Sequence, residues 1–193
     1  MQTVKWMMAL MMMGFFATAS AQEALAPGAQ VKDFTLKDYT GKEHKLSDYK
    51  EKAGIVILFV ATQCPVSNAY NERMEALHKE YSAKNLVFIG INSNKQESVE
   101  EVAGHAKENG LTFTILKDPN NVIADQFGAT VTPEAFLLNK ELKVVYHGRI
   151  DDSQRPAQIK KQDLRKALDE FLGGKAITDA DTKAFGCSIK RVK

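Results

Sequence analysis

The chain has 193 residues, with 26 lysines and arginines against 24 aspartates and glutamates, and 44% of its residues are hydrophobic. That length fits one domain with a substantial core, and a formal charge of +2, with the two signs interleaved, excludes a basic footprint for nucleic acid or an anionic membrane. Two cysteines and four scattered histidines do not make a structural zinc site, and no nucleotide loop or heme-attachment pattern appears, so neither metal nor cofactor is expected.

Residues 1–21 read as a secretory signal. Lys5 supplies the positive start, residues 6–17 are apolar, and Ala19-Ser20-Ala21 offers small residues for cleavage before Gln22. The apolar run is shorter than the about 20 residues a membrane span needs, and no cysteine follows it to carry a lipid. After cleavage no membrane anchor is expected, and the methionines gathered here belong to the leader. The protein is thus expected to be exported, periplasmic or secreted, where disulfides persist. Residues 22–172 should form the domain, and 173–193 a flexible tail.

Residues 34–37 and 43–45 flank Asp38-Tyr39-Thr40-Gly41, a hairpin signal in which glycine supplies a positive φ; His44, in this hairpin, reads as a surface residue. Residues 55–60 are all apolar, as in a central strand buried on both faces. Beyond Cys64-Pro65, the residues Val66, Tyr70, Met74, Leu77 and Tyr81 lay one apolar stripe along a helix. Pro65 suits the first helical position, which puts Cys64 at the cap, at the exposed end of the strand, beside unpaired backbone N–H groups that favour a thiolate. The plainer alternative is that Cys64 is a small buried apolar residue; its position at a helix start suits a nucleophile better.

Residues 86–92 form a second buried strand, 93–110 a helix stopped by Asn109-Gly110, and 112–116 a short strand. A short helix opened by Asp118-Pro119 runs to Phe127 and ends at Gly128. Residues 135–138 and 142–146 form a second hairpin, followed by 147–152 and a last helix over 156–172. Arg149 either holds a thiolate charged or pairs with Asp151 at the surface, and the surface pair is the expectation. The alternation of strands and helices implies an α/β fold with a central mixed sheet covered on both faces.

The segments Phe34-Thr35-Leu36-Lys37-Asp38, Gly41-Lys42, Leu46-Ser47-Asp48-Tyr49 and Phe59-Val60-Ala61-Thr62-Gln63-Cys64-Pro65 resemble the opening of the redoxin branch of the thioredoxin superfamily, which includes peroxiredoxin-like and thiol-disulfide oxidoreductase proteins. Val131-Thr132-Pro133 before 135–138 resembles the proline loop that faces the reactive cysteine there. The resemblance spans residues 29–171. It implies a thioredoxin-like fold, a cis Thr132-Pro133 bond opposite Cys64, and docking of a substrate strand on the Thr132-Pro133 backbone. Four positions depart from the pattern: Ser67 stands where thioredoxins have the second cysteine, Leu58 where they bury an aspartate, Gln63 where they have tryptophan, and Ala61 where peroxiredoxins need threonine.

The expected function is therefore an exported thiol-disulfide oxidoreductase. Cys64 would attack a protein or small-molecule disulfide, Cys187 would serve as the resolving thiol helped by Lys190, Arg191 and Lys193, and an external thiol would restore the pair. Two alternatives remain at this point. One is a peroxiredoxin-like peroxidase, in which Cys64 becomes a sulfenic acid that condenses with Cys187. The other is a non-catalytic binding module in which the two cysteines form a structural staple.

Overall fold

The computed structural model describes residues 24–192, so the leader expected over residues 1–21 lies outside the described residues. The first hairpin pairs β1 (Thr35–Asp38) with β2 (Glu43–Lys45). Its turn is held by the Asp38 carboxylate, which accepts the Thr40 and Lys42 N–H groups at 2.8 and 3.1 Å, and Gly41 takes φ +88°. His44 is not a surface residue as expected: it is buried, with Nε2 2.8 Å from Asp38 Oδ2 and Nδ1 2.7 Å from the Tyr49 hydroxyl.

The unbroken apolar run becomes β3 (Gly54–Phe59), buried along its whole length. The stripe after Cys64 splits at Ala69-Tyr70 into α1 (Pro65–Asn68) and α2 (Asn71–Ser82). Next come β4 (Leu86–Asn92) and α3 (Val99–Glu108). This helix starts later than its expected boundary because Ser98 and Glu101 form a reciprocal capping box. The chain continues through β5 (Thr114–Lys117), α4 (Val122–Phe127), the two-residue β6 (Val131–Thr132), β7 (Glu134–Leu138) and β8 (Val144–Gly148).

The expected last helix is shortened to α5 (Asp163–Leu172), preceded by a 3-10 turn over Pro156–Gln158. Asp152 accounts for the break. Its N–H donates to the Lys161 carbonyl and its carboxylate accepts the Lys160 N–H, which ties up backbone that a continuous helix would use itself. The last strand, β9 (Cys187–Ser188), lies in the tail.

Seven strands form one sheet in the order β2-β1-β5-β4-β3-β7-β8. The three in the middle are mutually parallel, and antiparallel pairs flank them, a mixed sheet as expected. Side chains of a strand alternate between faces, and both faces of β3 are covered. Val56, Leu58 and Val60 belong to a core with residues of α2, α3 and α5, while Ile55, Ile57 and Phe59 belong to a second core with Val31, Phe34 and residues of α4. Each such side chain contributes about 1.5 to 3 kcal/mol when fully buried. The five apolar residues from Ile55 to Phe59 thus fix the end of β3 firmly before any site is built on it.

Candidate active site

Antiparallel pairing sets Phe59, the last residue of β3, opposite Glu134, the first of β7. The chain leaving β3 and the chain entering β7 therefore meet at one end of the sheet. The first carries Cys64 and the second Thr132-Pro133, whose peptide bond is cis. Cys64 caps α1 with extended backbone, Pro65 occupies the first turn, and the Ser67 N–H donates to Cys64 Sγ at 3.2 Å. The Cys64 thiol donates to the Thr132 carbonyl at 3.3 Å. Ser67 fills the place of the absent second thiol with a hydroxyl that accepts the Ala61 N–H at 3.2 Å.

Cys64 does not lie at an exposed strand end. It is only 4% exposed, and the cover comes from the tail. Where the sequence predicts a loose segment after Gly173-Gly174, the tail runs back along the molecule. The Thr182 N–H donates to the His147 carbonyl at 2.9 Å and the Thr182 hydroxyl meets that of Tyr146 at 2.8 Å; Phe185 sets its ring edge-on to Tyr70. Strand β9 then pairs antiparallel with β6, Cys187 opposite Thr132 and Ser188 opposite Val131. Beyond it the Ile189 N–H donates to the Thr130 carbonyl, and Arg191 reaches Asp125 at 2.8 Å.

Gly186 makes the close pairing feasible. A Cβ there would stand 2.0 Å from the Thr132 carbonyl oxygen. The Thr132-Pro133 edge, expected to receive a substrate strand, is thus occupied by the protein's own strand.

Both cysteines are free thiols, and Cys187 is near enough to influence the Cys64 thiol. Burial raises the pKa of Cys64, but the Cys187 thiol, the Ser67 N–H and the Thr132 side chain together outweigh it, and the net shift is downward. The Thr132 hydroxyl is buried and has no well-aligned partner while Cys64 is a thiol, which leaves it available to a thiolate. Cys187 moves the other way. Burial raises it first and the neighbouring Cys64 raises it further, while the Val66 N–H and Lys190 oppose weakly. Lys190 and Arg191 therefore do not offset the burial of Cys187: Lys190 acts last and Arg191 is engaged by Asp125, while Lys193 lies outside the described residues. The two shifts run in opposite directions, so of the two thiols Cys64 gives up its proton more readily.

Sequence reasoning missed two carboxylates here. Glu97, in the loop before α3, is almost fully buried, and its two oxygens accept the N–H groups of Thr62 and Gln63 at 2.9 and 3.0 Å, fixing the peptide units that precede Cys64. Glu134 follows the cis proline. It accepts the Thr130 and Val131 N–H groups and meets His147 Nε2 at 2.8 Å, while His147 Nδ1 meets Asp181 of the tail at 2.9 Å. No spacing or motif marks either residue, because most of their partners are backbone groups or lie on other elements.

The expected Arg149–Asp151 pair does not form. Arg149 bonds Asp163 at 2.7 Å, and Asp151 is buried against Arg73 at 2.6 Å and the Tyr70 hydroxyl at 2.9 Å.

The model of the AhpC/TSA family matches residues 27–147. The thiol-disulfide oxidoreductase ResA of Geobacillus thermodenitrificans (strain NG80-2) is 29% identical over 147 residues, covering 75% of this chain and 83% of its own. The thioredoxin-like protein YneN of Bacillus subtilis (strain 168) is 30% identical over 175 residues, covering 86% and 97%. Among solved structures, the hypothetical protein SMc02350 of Sinorhizobium meliloti 1021 aligns with a TM-score of 0.81 at 31% identity, covering 88% of this chain and 97% of its own.

Proposed function

The chain belongs to the AhpC/TSA family of the thioredoxin superfamily, and on that premise we propose that it is an exported thiol-disulfide oxidoreductase whose redox pair is Cys64 and Cys187. The observation that carries this reading is the position of Cys187, directly opposite Thr132, whose carbonyl accepts the Cys64 thiol. The name of the ResA relative supports disulfide chemistry, and the leader-like residues 1–21 support export.

The cycle balances as follows. The tail strand lifts and a disulfide R–S–S–R′ takes its place at the Thr132 edge, bound by the same backbone groups. The Cys64 thiolate attacks one sulfur, forming Cys64–S–S–R and releasing R′–S⁻, which takes a proton from solvent. Strand β9 returns, and Cys187, having lost its proton, attacks the Cys64 sulfur, forming the Cys64–Cys187 bond and releasing the second thiol. Two electrons have moved from the cysteine pair to the substrate. An external dithiol then reduces the internal bond and resets the enzyme.

The test is a model disulfide with mass analysis of alkylated protein. Wild type should end with Cys64 bonded to Cys187, and Cys187→Ser should stop at a Cys64–substrate adduct. Full turnover by Cys187→Ser with no adduct would overturn the assignment of the resolving thiol.

A further inference from the structure

The Glu97 carboxyl is buried, and among the described residues no cation touches it directly. A carboxylate offers about four acceptor positions, and four donors meet this one: the Thr62 and Gln63 N–H groups and the side-chain amides of Asn92 and Asn94. Hydrogen bonds to an ionised acceptor are roughly twice as strong as neutral ones, so this cluster is a rigid joint and not an incidental contact.

The two amides are themselves oriented from outside. Lys117 Nζ donates to Asn92 Oδ1 at 2.6 Å and to the Asn94 carbonyl at 2.7 Å. Asn94 Oδ1 accepts the Lys190 N–H at 2.7 Å, and the neighbouring Lys95 N–H donates to the Lys190 carbonyl at 2.9 Å. One arm of the joint thus ends on the two residues before Cys64. The other ends on the tail, three residues after Cys187.

We infer that Glu97 is the positioning residue that holds the two thiol-bearing segments in register, so that its loss slows the closing of the internal disulfide more than the first attack on substrate. The inference rests on the assignment of Cys64 and Cys187 as the redox pair. Glu97 touches neither sulfur and acts through Thr62, Gln63 and Asn94. Cutting the joint at different points should separate its two arms. Asn94→Ala removes the side-chain bond to the Lys190 N–H and leaves the Lys95–Lys190 backbone bond and the Thr62 and Gln63 bonds in place. Glu97→Gln replaces one acceptor oxygen with an NH2 that faces a donor, so it weakens both.

The experiment is single-turnover reaction with the chromogenic disulfide 5,5′-dithiobis(2-nitrobenzoate), well below the melting temperature of each variant. Attack by Cys64 releases one thionitrobenzoate, and resolution by Cys187 releases the second. Misplacement of reacting groups on this scale slows a step by roughly tenfold to a hundredfold. The expected result is a second release slowed by that amount in Asn94→Ala with the first unchanged, and both releases slowed in Glu97→Gln, the second more. If Glu97→Gln folds poorly, Asn94→Ala alone decides. An unchanged second release in Asn94→Ala, or equal slowing of both steps, overturns the inference. The redox-pair assignment is judged separately, because its failure would appear as a second release that persists in Cys187→Ser.

Discussion

Thr132 touches both thiol segments at once: its carbonyl accepts the Cys64 thiol at 3.3 Å, and its backbone pairs with that of Cys187. The residue before the cis proline is therefore a platform shared by Cys64 and by the strand that lies on it. In the resting molecule that strand is the protein's own.

Gly186→Ala should unseat this strand. The new methyl group would meet the Thr132 carbonyl carbon and oxygen, which are backbone atoms and cannot swing aside. Cys64, no longer covered, should react faster with iodoacetamide, while the yield of the Cys64–Cys187 bond falls. Slower alkylation with the disulfide formed as in wild type would show that β9 does not shield Cys64.

The pH dependence of Cys64 alkylation should have its midpoint below the ordinary thiol value of about 8.5. Although burial opposes the thiolate, the Cys187 thiol is the first of the groups that favour it. Cys187→Ala should therefore move the midpoint upward. A midpoint that stays or falls would place the activating groups elsewhere.

The histidine at the tail latch gives stability a pH signature. Burial lowers the pKa of His147, but Glu134 and then Asp181 raise it further, for a net upward shift. A group raised in the folded state contributes fully below its unfolded value of about 6.5 and loses that contribution as pH rises through the folded value. Wild type should thus gain stability over His147→Gln in mild acid, and the gap should shrink as the medium turns alkaline. Urea unfolding of both proteins across this range measures it; a gap that widens with pH contradicts the latch.

Arg73→Ala should destabilise the fold at about the lower end of the 3 to 5 kcal/mol seen when one partner of a buried pair is removed. Asp151 would keep the Tyr70 hydroxyl and the Ser153 N–H but lose its only charged partner among the described residues. Urea titration at neutral pH reads the change, and a loss under about 1 kcal/mol would mean that the pair behaves like a surface one.

The parts of this site that follow from local pattern were legible in the sequence. An apolar run named β3, and proline after cysteine named the cap. Resemblance, rather than local chemistry, supplied the cis bond at Thr132-Pro133. The tail was misread for a physical reason. Its glycines and charges look like those of an untethered segment, and a two-residue strand has no periodicity to detect. What holds it is backbone pairing with residues more than thirty positions away. Arg149 and Asp151, two apart in sequence, were read as partners, yet the chain leaves β8 at Gly148 and bends over residues 150–152, so that Arg149 bonds Asp163 of α5 and Asp151 bonds Arg73 of α2. Glu97 was invisible because most of its partners come from a loop over thirty residues earlier and from the asparagines beside it.

Placing the second thiol on β9 also sets a schedule. Cys64 and Cys187 are 123 positions apart, so at about 5 to 20 residues per second the first cysteine is made roughly 6 to 25 seconds before the second. Through that interval a growing chain has a reactive sulfur and no internal mate. A Cys64–Cys187 bond can therefore form only after translation has passed β9, and its presence would certify a polypeptide made, and threaded home, at least as far as Cys187.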